Sequence, residues 1–121
     1  KKGLRGSMAN IYLNAKKDLT TNTVTTLYTC PANSRSIVKS LLVSDDSGSG
    51  DTITVTLFDG DPASANSFVL FKTKAVSADE TLQLLTEPLV MMESEVLQVT
   101  AATADRLYVV ASVLEMNRED R

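Results

Sequence analysis

The run Thr52-Ile53-Thr54-Val55-Thr56-Leu57-Phe58 alternates apolar residues with threonine, a period of two that fits a half-buried strand and no helix. Ile53, Val55 and Leu57 fall on one face and the threonines on the other. Residues 10–14, 23–29, 34–44, 67–76, 81–85, 95–100 and 106–114 read as further strands, rich in β-branched and aromatic residues. Turn signals separate them: Pro31-Ala32-Asn33, the Asp/Ser/Gly stretch 45–51, Asp59-Gly60-Asp61-Pro62 and Ser77-Ala78-Asp79-Glu80. Leu89, Met92, Glu93, Val96 and Leu97 also match helical spacing, but Pro88 before them and Val99-Thr100 after them favour strand. About eight short strands with no long helix predict an all-β, single-domain antiparallel β-sandwich, jelly-roll-like or Ig-like.

At 121 residues and 43% hydrophobic, the chain has the material for one core. Its opening Lys1-Lys2-Gly3-Leu4-Arg5-Gly6-Ser7, followed by Met8, reads as a vector-derived leader, so the domain is expected over 8–115 with a charged, frayed tail over 116–121. A natural basic arm is the competing reading of residues 1–7. Without Lys1, Lys2 and Arg5, 9 basic residues face 15 acidic ones, a net charge of −6. Neither nucleic acid nor an anionic membrane is an expected partner, because both need clustered Lys or Arg. No apolar run approaches the ~20 residues of a membrane-spanning helix.

The chemistry open to the chain is narrow. It contains no His, so Ser-His-Asp, Cys-His and His-metal arrangements are ruled out, and no catalytic residue or cofactor is expected. Cys30 is the single thiol and reads as a small buried hydrophobe. Glu93 and Glu95 would share a face if extended, a weak basis for acid/base work. Asp45, Asp46, Asp51, Asp59 and Asp61 offer hard oxygens on loops, but in no calcium-site spacing, and turn chemistry accounts for them without a metal. No helix follows Gly48 and Gly50 to make a phosphate cradle. The six aromatics, Tyr12, Tyr28, Phe58, Phe68, Phe71 and Tyr108, are expected in the core or at an interface.

Two strands are apolar on both faces. In the last, Leu107, Val109, Ala111 and Val113 form one face, and Tyr108, Val110 and Leu114 the other. In residues 37–43, Ile37, Leu41 and Val43 lie opposite Val38 and Leu42 if the alternation is unbroken. Something must cover the second face, either a loop of the same chain or another subunit. Tyr108, Val110, Leu114, Val38 and Leu42 are therefore the candidate subunit interface.

Three segments, Thr26-Leu27-Tyr28-Thr29-Cys30-Pro31-Ala32, Ile37-Val38-Lys39-Ser40-Leu41-Leu42-Val43-Ser44 and Gly48-Ser49-Gly50-Asp51-Thr52-Ile53-Thr54-Val55, resemble a group of small tailed-phage (cyanophage-like) virion structural proteins. The likeness continues through Pro88-Leu89-Val90, Leu97-Gln98-Val99-Thr100-Ala101 and Val109-Val110-Ala111-Ser112-Val113-Leu114-Glu115, so that it spans nearly all of residues 9–115. Where many such proteins carry a Gly-Asp pair before the Leu-x-Val-Thr strand, this chain has Ser94-Glu95-Val96, which leaves the turn there undefined. The resemblance implies a non-enzymatic head-decorating, fibre or tail component, made in the host cytoplasm and located in the virion. It also implies partners in the form of copies of itself, as a ring or trimer, and other particle proteins. A binding module that recognises a host-surface glycan or a calcium-linked ligand through its loops is the alternative.

Overall fold

A computed structural model describes residues 8–60 and 66–118. Among them lie nine strands: β1 (Met8–Asp18), β2 (Thr25–Thr29), β3 (Ser34–Asp45), β4 (Asp51–Phe58), β5 (Ser67–Val76), β6 (Thr81–Gln83), β7 (Leu89–Met91), β8 (Val96–Ala101) and β9 (Leu107–Arg118). No helix occurs among the described residues. Leu89–Met91, where helical spacing competed, is a strand. The expected leader at 1–7, Asp61-Pro62 and residues 119–121 lie outside the described residues. Met116, Asn117 and Arg118 continue β9 instead of fraying, because β1 pairs with them on one side and Ser34 and Arg35 pair with Asn117 and Met116 on the other.

The strands form two antiparallel sheets. One runs β1-β9-β3-β6 with β7 also paired to β3, and the other runs β2-β8-β4-β5. Partners nest: β1 with β9, β2 with β8, β3 with β6 and β7, β4 with β5. A chain paired in this order is one long hairpin with its tip at β4 and β5, rolled so that successive pairs fall alternately in the two sheets. That is the jelly-roll arrangement, and it settles the choice against the Ig-like one.

Inward residues of both sheets make the core. Leu41 and Val43 of β3 and Val109, Ala111 and Val113 of β9 are fully enclosed, as are Ile53 and Val55 of β4 and Leu97 and Val99 of β8. Each enclosed Val, Leu or Ile contributes about 1.5–3 kcal/mol of burial. Sequence alternation thus held in β4 and β9.

In β3 it did not hold. Val38, expected on the outer face, is 0% exposed in the core, while Ile37 lies on the outside. The cause is a bulge: Val38 pairs with Val113 and Ser40 with the very next residue, Ser112, leaving Lys39 as an extra residue. One extra residue reverses which faces the side chains take, so Ser34, Ser36 and Val38 point inward before it and Leu41, Val43 and Asp45 after it.

Candidate interaction surface

The buried polar groups form structural contacts. Cys30 is enclosed, with its Sγ 3.6 Å from the Ser34 carbonyl and 3.7 Å from that of Met91, and burial pushes its thiol pKa up. A raised pKa keeps the thiol protonated and unreactive. Ser36 Oγ donates to Cys30 Sγ at 3.3 Å and lies 2.6 Å from the Tyr28 hydroxyl, which donates to Glu115 Oε1 at 2.6 Å. This chain of contacts joins the two sheets from within.

The loop acids are likewise engaged with the chain itself. Asp45, buried at the end of β3, accepts from the backbone N–H groups of Ser47, Gly48, Gly50 and Asp79 and from the Ser47 hydroxyl. These donors hold its carboxyl well below the usual range, the Ser47 hydroxyl first among them. Asp46 accepts from the Tyr108 hydroxyl at 3.1 Å and Asp51 from the Thr103 N–H at 2.9 Å. Among the described residues no group of acids is assembled that would hold a metal ion. Glu95 Oε1 caps the turn before β8 by accepting from the Met92 N–H at 2.7 Å. Ser94 between the two glutamates takes φ 70, the left-handed conformation that glycine adopts freely. The turn left undefined by the sequence is therefore a left-handed one.

The outer face of the five-stranded sheet is different in kind. Cross-strand pairing aligns Tyr12 of β1 with Leu114 of β9, Leu114 with Ile37 of β3, and Ile37 with Val90 of β7. One apolar row therefore crosses four strands. Tyr12 is 73% exposed at one end and Val90 57% at the other. A second row aligns Lys16, Val110, Leu42 and Gln83, and a third Asp18, Tyr108, Ser44 and Thr81. Leu42 and Tyr108 are exposed, whereas Val110 and Leu114 are half-buried by their neighbours. Two shallow hollows of about 390 and 350 Å³ flank β1 on this sheet, the first lined by Tyr12, Asn14, Lys39 and Ser112 among others, the second by Lys16, Asp18, Tyr108 and Val110 among others.

Four of the five residues singled out from the sequence, Tyr108, Val110, Leu114 and Leu42, share this face; Val38 does not. Tyr12, Ile37 and Val90 complete it and were missed as part of it. Their signal was present but needed a strand register, which single-strand periodicity cannot supply. A separate apolar edge was also missed: Phe68, Val69 and Leu70 of β5 are exposed at the margin of the four-stranded sheet.

No model of a known protein family matches the chain, and no curated protein matches it. Among solved structures it is similar to a protein of the virus-like particle of the extra small virus of the giant freshwater prawn Macrobrachium rosenbergii, with a TM-score of 0.48 and 13% identity over 99% of this chain and 86% of that one. It is also similar to a pentameric capsid protein isolated from metagenomic phage sequences, with a TM-score of 0.37 and 18% identity over 95% of this chain and 68% of that one. A third likeness is to the CBM22-1 and GH10 modules of a Clostridium thermocellum endo-1,4-β-D-xylanase complexed with xylohexaose, with a TM-score of 0.44 and 11% identity over 95% of this chain but only 27% of that one. At these scores the likenesses decide neither the activity nor the partners of this chain, and the jelly-roll assignment rests on its own strand pairing.

Proposed function

We propose that the chain is a non-enzymatic structural protein of a tailed-phage particle, a head-decorating, fibre or tail component that works by packing against copies of itself and against other particle proteins. The observation that carries this reading is the open outer face, where the row of Tyr12, Leu114, Ile37 and Val90 crosses the sheet. A contiguous apolar stripe with aromatic and aliphatic side chains and a polar margin is the make-up of a subunit contact. The resemblance of residues 26–32, 37–44 and 48–55 to small virion proteins supports the same reading and supplies the biological setting.

Two experiments test it. Mass spectrometry of purified particles from the source phage should detect the protein at structural stoichiometry, and its absence there would sink the virion assignment. In solution, Val110→Glu places a charge in the middle of the outer face. The variant should melt near the parent temperature and lose the association that buries this face, since burying an unpaired carboxylate costs several kcal/mol. A Val110→Glu variant that associates like the parent would remove the outer face from the contact.

A further inference from the structure

We propose that the free edge of β1 is a pairing seam for a second copy of this chain, in which the two β1 strands run antiparallel about a two-fold axis at Asn14 and join the two five-stranded sheets into one. The inference rests on the self-association reading above and adds to it a contact at the sheet edge, distinct from the outer-face contact that Val110→Glu probes.

The backbone sets which groups are on offer. Leu19, next after β1, donates its N–H to the Leu107 carbonyl at 3.0 Å, and its carbonyl accepts from the Asp105 N–H at 2.9 Å, so both its polar groups turn toward the β9 side. The ladder from Met8 to Asp18 has no register shift. In an antiparallel strand the direction alternates with each residue, so Asn10, Tyr12, Asn14 and Lys16 aim their N–H and C=O groups at the open edge.

The other three edges are guarded in ways that β1 is not. β2 is five residues long, bulged between Thr26 and Tyr28, and followed closely by Pro31. β6 and β7 are three residues each, with Pro88 between them. β5 has two register shifts, a left-handed Thr73 at φ 46, and Lys72 and Lys74 along it. Short length, bulges, proline and lysine are the devices that stop edge-to-edge pairing. β1 carries eleven residues with no proline, glycine or bulge, and its two lysines, Lys16 and Lys17, are confined to its C-terminal end, leaving residues 8–15 uncharged.

Charge then selects the direction, and side-chain pairing suits the register. The only charged residues of β1 are Lys16, Lys17 and Asp18, all at its C-terminal end. Parallel pairing would stack like charges on one another. Antiparallel pairing about Asn14 sets Lys16 beside the partner's Tyr12, whose ring is open to receive an ammonium on its face, and Asp18 beside the partner's Asn10, whose amide donates to a carboxylate. The two Asn14 side chains meet on the axis.

Sedimentation across a concentration series tests the seam, with the parent chain beside Asn14→Lys and Asn14→Pro. The parent should dimerise. Asn14→Lys, which sets two ammoniums face to face, and Asn14→Pro, which removes an edge-facing N–H and the 3.5 Å Ser112 contact but leaves the β9 backbone ladder intact, should each weaken the dimer at least tenfold. Asn14→Cys gives a readout on the parent fold: across a directly paired antiparallel position the Cα atoms lie about 5.5 Å apart, within disulfide reach. Air oxidation should therefore link it into a covalent dimer, while Lys74→Cys on the β5 edge should stay unlinked. A parent chain that is monomeric at every concentration overturns the seam and solution self-association together. Association that survives Asn14→Lys, or an Asn14→Cys that fails to cross-link, overturns the seam alone. Absence of the protein from purified particles overturns the virion reading and leaves the seam standing.

Discussion

The Tyr28 hydroxyl donates a 2.6 Å hydrogen bond to the Glu115 carboxylate, tying β2 of one sheet to β9 of the other through the interior. Tyr28→Phe deletes that bond and the contact with Ser36, and should cost about 1.5–3 kcal/mol in urea unfolding, the range for a hydrogen bond to a charged group. The loss should be smaller in a Glu115→Gln background, because the two changes remove the same contact. The bond also has a signature in pH. Burial first, and the Glu115 hydrogen bond second, push the Tyr28 pKa well above its ordinary value of 10.0. The folded state therefore favours the neutral phenol, and this stability is fully present below about pH 10 and lost as pH rises beyond it. Tyr108 is raised too, chiefly by its hydrogen bond to Asp46. Tyr28→Phe should flatten the alkaline decline in melting temperature, and Tyr28→Phe/Tyr108→Phe should flatten it further, leaving the part that the raised Cys30 thiol contributes.

At the acid end the corresponding group is Asp45. Its carboxylate gathers the N–H groups of a Gly/Ser turn and reaches across to Asp79, thirty-four residues away in sequence. Hydrogen bonds to the charged form hold its pKa below the ordinary 3.8, so its contribution is present above about pH 4 and is lost as pH falls further, toward the lower pKa of the folded state. Asp45→Asn replaces one acceptor oxygen by a donor amide that faces N–H groups. The variant should melt several degrees lower at neutral pH and show a shallower acid decline than the parent. An unchanged acid limb would mean that another carboxylate governs it.

Gly60 and Ser94 constrain each other. A Cβ on Gly60 would come 1.9 Å from the Ser94 carbonyl oxygen, closer than any real contact, and Gly60 also takes φ 76. Gly60→Ala should therefore destabilise the fold by several kcal/mol, through the clash and the left-handed strain together. At Ser94 the argument runs the other way. Its φ of 70 strains a residue with a Cβ, so Ser94→Gly should raise stability by about 0.5–1 kcal/mol, the relief of strain being offset in part by the greater freedom of glycine in the unfolded chain. Chemical denaturation of the pair of variants checks both signs.

What the sequence made legible was local. Alternation in residues 52–58 placed Ile53 and Val55 inside, and the two-sided pattern of residues 107–114 placed Tyr108, Val110 and Leu114 outside, because each inference needs only one strand. The nesting of strand pairs that makes a jelly roll was not readable, since it depends on which strands meet across separations that reach from Met8 to Arg118. Asp45 could be recognised as a turn residue but not matched with Asp79. The row from Tyr12 to Val90 escaped for the same reason: four strands contribute one residue each, and no single segment looks apolar because of it.

The bulge at Lys39 is the sharpest case, and it yields a test within one strand. Unbroken alternation makes Val38 and Leu42 equivalent, both on the outer face, whereas the bulge places Val38 in the core at 0% exposure and Leu42 on the surface at 36%. The larger side chain should then matter less. Val38→Ala removes fully enclosed methyl groups and leaves a small cavity, at a cost of about 2 kcal/mol. Leu42→Ala removes more atoms from a half-wet site and should cost the monomer under about 1 kcal/mol. Thermal and urea unfolding at a concentration where the chain is monomeric separates the two. Equal losses would mean that the alternation runs through Lys39 unbroken and that Val38 returns to the outer face.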